Sequence, residues 1–237
     1  MKKKKINILR YAIQDLITLG KRKNNAYIFG KLDVTECISK LEQKKIPLYP
    51  YLLYCYSRTV ADNKNPINTY WEKQKNVIEF DEVDVAITVV RRIEGEIIPL
   101  FYIIRNAHSK SIEDFDNEIS IAKRKPVSEL LDKNAMWFYK LPLWLRNKYW
   151  HYVSRRPELI KKYFGTTAIT TLHNMGDSPL QGITDSIHTF TFAIGSILNE
   201  DGKIWLRYSA MLDHNILDGL PAVKFVEEFK TKLLTSI

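Results

Sequence analysis

The alternation of apolar and polar positions divides the chain into helical and extended stretches of ordinary length. Residues 8–19 place Leu9, Ile13, Leu16 and Ile17 on one side of a helix, because apolar residues three to four apart share a helical face. Residues 27–32 read as a strand. Asp33, Val34, Thr35 and Glu36 then have the spacing of a capping box, opening a helix that runs to about residue 43. Pro47 starts a second helix through Tyr54 and Val60, which ends near Asn63-Lys64-Asn65-Pro66. Residues 83–92 and 96–105 are rich in β-branched side chains and flank Glu94-Gly95, a hairpin signal. Residues 111–125 are helical until Pro126, and residues 127–164 are mostly helical with breaks at Pro142 and Pro157. Strands are predicted at 165–172, 187–198 and 203–212, the last two joined by Asn199-Glu200-Asp201-Gly202. Residues 221–234 close the chain as an amphipathic helix through Val223, Phe225, Val226, Phe229 and Leu233. Mixed strands and helices, with hairpins present, predict an α/β fold: a two-layer sandwich in which a mixed β-sheet is covered by helices.

Composition narrows the class. A chain of 237 residues, 45% of them hydrophobic, can bury a core as one large domain or two small ones. It contains no run of 18 apolar residues, so a transmembrane helix is not expected. Met1 to Lys5 has no apolar core or small-residue cleavage site behind it, so the start does not read as a secretory signal. A cytoplasmic globular protein is expected. Cys37 and Cys55 are too few for a disulfide framework or a tetrahedral zinc site, and both sit in apolar helical patterns that favour buried thiols.

The net charge of +9 is unevenly placed. Residues 1–31 carry nine basic side chains and one acid, Asp15; residues 136–165 carry seven and one, Glu158, which leaves the remainder at −5. In the second segment Trp137, Phe138, Tyr139, Trp144, Tyr149, Trp150 and Tyr152 alternate with Lys140, Arg146, Lys148, Arg155 and Arg156. That composition suits an interfacial helix, a subunit contact or a nucleic-acid groove. No helix-turn-helix, ribonucleoprotein or zinc signature accompanies it, so nucleic acid is not the expected partner. Membrane association through residues 136–165 stays open.

The motifs for phosphate and dinucleotide binding and the paired spacings of metal sites are absent. His108, His151, His173 and His188 stand singly and read as structural or solvated residues. His214 differs. A predicted strand runs into Asp213-His214-Asn215-Ile216-Leu217-Asp218-Gly219, after which a helix begins. A histidine there projects from a rigid edge, has a pKa suited to proton abstraction, and is followed four residues later by a carboxylate. Gly219 would permit a backbone conformation closed to other residues. An Asp-Gly turn that happens to follow a surface histidine would look the same.

His214-x-x-x-Asp218-Gly219, preceded by Asp213, resembles the active-site signature of the CoA-dependent acyltransferases. These comprise the catalytic domains of dihydrolipoamide acyltransferases from 2-oxo acid dehydrogenase complexes, and chloramphenicol acetyltransferase. Other segments share the likeness in the family's order. They are Arg10-Tyr11-Ala12-Ile13, Leu32-Asp33-Val34-Thr35, Ile97-Ile98-Pro99, Arg105-Asn106-Ala107, Lys110-Ser111-Ile112, Gly165-Thr166 and Ala193-Ile194-Gly195. The match covers about residues 8–235 and implies a chloramphenicol acetyltransferase-like sandwich.

The resemblance implies a catalytic set of His214, Asp218 and Thr170. His214 would be the general base, taking the proton from a thiol, hydroxyl or amine that attacks the thioester carbonyl of acyl-CoA or an acyl-lipoyl group. The Thr170 hydroxyl would stabilise the tetrahedral oxyanion. Asp218 would fix the loop by an ion pair with Arg10, and Asn215, Thr171 and His173 would line the substrate side. The chemistry implies a CoA thioester as substrate and no bound cofactor or metal. The expected partners are acyl-CoA, a small-molecule or lipoyl-type acceptor and two further copies in a homotrimer.

Two departures stand out. The dihydrolipoamide branch has Arg directly after the histidine, where this chain has Asn215, and residues 137–164 are longer and more aromatic than that branch leads one to expect. No lipoyl or subunit-binding segment precedes the match, so residues 1–237 read as a single, free-standing acyltransferase domain. The alternative is a catalytically degenerate trimeric scaffold or ligand-binding homologue of the family.

Overall fold

Period-two runs of β-branched and aromatic residues build one six-stranded sheet, and amphipathic helices cover it. The computed structural model describes residues 7, 9–72, 75–93, 95–126, 129, 135–172 and 178–237. The strands are β1 (Asn25–Asp33), β2 (Thr69–Glu72), β3 (Asn76–Glu79), β4 (Val85–Ile93), β5 (Glu96–Ile104), β6 (Thr167–Thr171), β7 (Phe190–Glu200) and β8 (Lys203–Asp213). The main helices are α1 (Arg10–Gly20), α2 (Thr35–Lys44), α3 (Leu48–Asp62), α4 (Ile112–Arg124), α5 (Leu143–Val153), α6 (Pro157–Phe164) and α7 (Gly219–Thr235). The large sheet has the order β1-β8-β7-β6-β4-β5. It is mixed: β6 runs parallel to β4 and β7, and the other pairs are antiparallel. The α/β sandwich is as expected.

Strand side chains alternate faces, and the two faces here differ in kind. One carries Leu32, Val85, Ile87, Val89, Ile169, Phe190, Phe192, Ile194, Leu206, Ala210 and Leu212. These pack beneath Cys37 and Leu41 of α2, Tyr51 to Val60 of α3, Phe115 and Ile119 of α4, and Phe225 and Phe229 of α7. Burial pushes the thiols of Cys37 and Cys55 up to about 11 and about 12, so both are inert core residues. The opposite face is small and polar where Thr170, Ala193 and Ser209 lie in register, and Phe29 beside them is 59% exposed. Part of this face is crossed by residues 178–186, where Gln181 donates to the carbonyls of Gly30 and Tyr208.

A second cluster forms at the end of the sheet where β7 begins and β8 stops. Leu16 and Leu19 of α1, Tyr70, Phe80, Trp150, Val153, Ile160 and Ile187 meet there. Gly20 lets α1 end against this corner: a side chain at that position would meet the Ser186 amide at 2.6 Å. Asp15 of α1 is buried and accepts from the Arg146 guanidinium at 3.1 Å and the Trp150 indole at 2.9 Å, which ties α5 to α1.

One local expectation needs correction, and one element was missed. Asp33 and Glu36 do not form a capping box. The Asp33 carboxylate accepts from the Thr35 amide and hydroxyl instead, and Glu36 pairs with Lys40. A reciprocal box does form at Ser111 and Asp114, at the start of α4. The β2–β3 hairpin, with register Thr69 to Glu79, has no counterpart in the sequence reading because each strand is only four residues long. The β7–β8 turn is as read: Asp201 and Gly202 both have positive φ, 53° and 80°, as a two-residue hairpin loop of the primed kind requires.

Candidate active site

His214 stands one residue beyond the end of β8, and its surroundings are locked by a network that crosses the whole chain. Its amide donates to the Asn24 carbonyl at 2.8 Å, and the Asp213 amide donates to the Thr189 carbonyl at 2.9 Å. One Asp213 carboxylate oxygen accepts from the Asn215 amide at 3.2 Å and from the Asn215 side chain at 2.7 Å. The Asn215 side-chain carbonyl accepts in turn from Asn24 at 2.7 Å. The other Asp213 oxygen faces the Lys23 ammonium at 3.1 Å, where the lysine side chain is 12% exposed and the aspartate 1%. Burial lowers the lysine's pKa, and the Asp213 charge works against that shift. The Tyr70 ring lies 5.2 Å from the same ammonium.

The imidazole itself points outward. His214 and Asp218 have side chains 56% and 80% exposed, with Nδ1 of the ring 3.5 Å from the Asp218 carboxylate. A carboxylate beside Nδ1 favours the tautomer with its proton there, which leaves the Nε2 lone pair free to accept one. The ring is open to solvent. Asp218 is the N-cap residue of α7. Gly219 has no positive φ, and a side chain there would meet nothing within 4 Å, so the backbone reason expected for it does not hold.

The remaining candidates fall in different places. Arg10 and Asp218 are not brought together. Arg10 lies 3.7 Å from Glu96 and donates to the Ile97 carbonyl at the tip of the β4–β5 hairpin. The buried partner that anchors the histidine turn is Lys23, acting on Asp213 rather than on Asp218. Asn215 sits where expected, but its side chain is engaged with Asn24 and Asp213. Thr171 ends β6, and His173 lies outside the described residues. Thr170 pairs with Ala193, four positions along β7 from the Thr189 carbonyl that holds Asp213. At about 3.3 Å per residue and about 4.8 Å per strand, Thr170 lies about 16 Å from the end of β8 within one chain. Lys23 and Asn24 escaped the sequence reading because their partners are about 190 residues away and no local pattern links them.

Known structures share this arrangement of strands and helices. No protein-family model and no curated protein matches the sequence. A dihydrolipoamide acetyltransferase from Azotobacter vinelandii superposes with a TM-score of 0.75 at 16% identity, over 100% of this chain and 92% of that one. The fold is that of the chloramphenicol acetyltransferase-like acyltransferases. The truncated catalytic core of a 2-oxoacid dehydrogenase complex from Thermoplasma acidophilum gives 0.73 at 18% identity, over 99% of each chain. Chloramphenicol acetyltransferase itself gives 0.54 at 11% identity, over 98% of this chain and 100% of that one. In this fold Arg105, at the end of β5, holds Asp84 at 2.8 Å and donates to the carbonyls of Lys161 and Lys162 at the close of α6.

Proposed function

We propose that the chain is a CoA-dependent acyltransferase with His214 as general base. The observation that carries this reading is the His214 turn: a histidine on a braced strand end, Nδ1 facing Asp218, its other nitrogen open. The Azotobacter protein was studied for the catalytic roles of a serine, a histidine and an asparagine four residues after it. His214 and Asp218 have that same separation, and Thr170 would take the part of the hydroxyl.

The step follows from these groups. Nε2 of His214 removes the proton from the acceptor's thiol, hydroxyl or amine as the acceptor bonds to the thioester carbonyl carbon. The carbonyl electrons move to oxygen, and the tetrahedral oxyanion receives a hydrogen bond from the Thr170 hydroxyl. Collapse breaks the carbon–sulfur bond, and the imidazolium returns the proton to the departing CoA thiolate. Thr170 and His214 lie too far apart to serve one acyl group within a chain, so the hydroxyl comes from a second copy. The exposed Phe29 on the sheet face that carries Thr170 supports this, because an exposed apolar ring beside small residues suits a subunit contact. A homotrimer with three such boundaries is the assembly proposed.

A panel of acyl-CoA thioesters, read by thiol release with dihydrolipoamide, chloramphenicol and simple amines or alcohols as acceptors, tests the reading. His214→Ala should lower kcat by about 100- to 10,000-fold, the usual contribution of a general base. Thr170→Val should lower it by about 100- to 1,000-fold, as loss of one oxyanion donor does. Unchanged turnover in His214→Ala would remove the mechanism. Silence of the wild-type protein toward every thioester would favour the scaffold alternative.

A further inference from the structure

We infer that the outward face of α5, with the residues on either side of it, docks onto an anionic lipid surface. At 100° per residue the helix has two opposed faces. Arg146, Trp150 and Val153 are buried, with Arg146 and Trp150 fixed by Asp15. Trp144, Lys148 and Tyr152 point the other way into solvent, His151 on that side meets the Arg22 guanidinium at 3.4 Å, and Arg155 is exposed just beyond the helix. This outer face is not an ordinary polar one. Trp144 is 66% exposed and Tyr152 is exposed as well, while Trp137, Lys140 and Leu143, before or at the start of the helix, are also exposed. The Arg156 guanidinium lies 3.9 Å from the Tyr152 ring centre, which holds the charge and the aromatic side by side.

The charges choose the occupant. Between residues 135 and 157 the segment itself carries no acidic side chain, so its own charges are all positive. Two such faces placed against each other in a symmetric dimer would oppose like charges. A nucleic-acid groove would explain the bases and the rings but not exposed Leu143 beside Trp144. Tryptophan and tyrosine belts with lysine and arginine are what the boundary between headgroups and acyl chains receives. Among the described residues no helix is long and apolar enough to cross a membrane, so the contact is one of surface. The inner side of the helix is already spent on Asp15 and the second core cluster, so docking requires no unfolding.

Co-sedimentation of the whole protein with vesicles of phosphatidylcholine, alone and mixed with phosphatidylserine, is the test. Binding should need the anionic lipid and weaken from low to physiological salt. Each charge removed at Lys148 or Arg155 should reduce the partition coefficient about fivefold, and Trp144→Ala should reduce it further. The His214→Ala protein should bind vesicles as the wild type does, which separates this surface from the proposed chemistry. Three results would overturn the inference: no preference for anionic vesicles, loss of self-association in Trp144→Ala by sedimentation velocity, or retention of a single-stranded oligonucleotide in preference to vesicles.

Discussion

Lys23 shows how much of a site can depend on a residue that does no chemistry. Its ammonium is enclosed against Asp213, directly before the histidine, and both charges have left bulk water. Such a pair need not stabilise the fold relative to an apolar one, but removing one member strands the other. Lys23→Met should therefore destabilise the protein by about 3–5 kcal/mol in denaturant titrations, whereas Lys23→Met with Asp213→Asn should recover much of that loss. The single variant should also lower kcat more than it raises KM, because the turn loosens without touching a bound thioester; Lys23→Arg should restore part of it. At this scale the sequence showed the histidine and its carboxylate, which are four residues apart. It did not show Lys23 or Asn24, because a contact closed over about 190 residues leaves no periodic trace. The Arg10 assignment failed for the same reason: the partner of a buried acid is set by packing, and here that partner follows α1 rather than opening it.

His188 does for the elements what Lys23 does for the turn. It is buried at the entry to β7, donates through Nε2 to the Phe164 carbonyl at 2.9 Å, and accepts at Nδ1 from the Ser186 hydroxyl at 2.8 Å. The close of α6 is thereby fastened to the sheet. Burial, helped by the Lys23 charge, pushes its pKa down to about 4. A free histidine titrates near 6.5, so between those values the unfolded chain takes up a proton that the folded chain refuses. The contribution is fully present above about pH 6.5 and is lost as pH falls through about 4, amounting to about 3 kcal/mol. Denaturation midpoints measured across that window should drop steeply for the wild type and more gently for His188→Gln. Element boundaries were legible wherever apolar spacing ran long, as in α3, β8 and α7. Capping was legible only in kind: Asp33-x-x-Glu36 and Ser111-x-x-Asp114 look alike as strings, yet only the second closes, because Thr35 intercepts Asp33.

For the whole molecule the decisive quantity is register, which no composition or motif reports. The mixed-sheet sandwich was readable from the mixture of strand and helix patterns and from the family-like segments, but the separation between Thr170 and the end of β8 emerges only once β6, β7 and β8 are aligned. That separation makes a prediction about mixtures. Two inactive proteins, His214→Ala and Thr170→Val, refolded together should regain activity that neither has alone. In a randomly mixed closed ring with sites at its boundaries, about a quarter of the sites would combine a sound histidine with a sound hydroxyl. Activity staying at the level of the separate variants would mean that each chain works alone. The tight β7–β8 turn at Asp201-Gly202 carries a consequence of its own. It lies at the far end of an eleven-residue strand from His214, and both of its residues are exposed. A fluorophore, an affinity handle or an entire guest domain could be grafted there and still leave the histidine corner undisturbed.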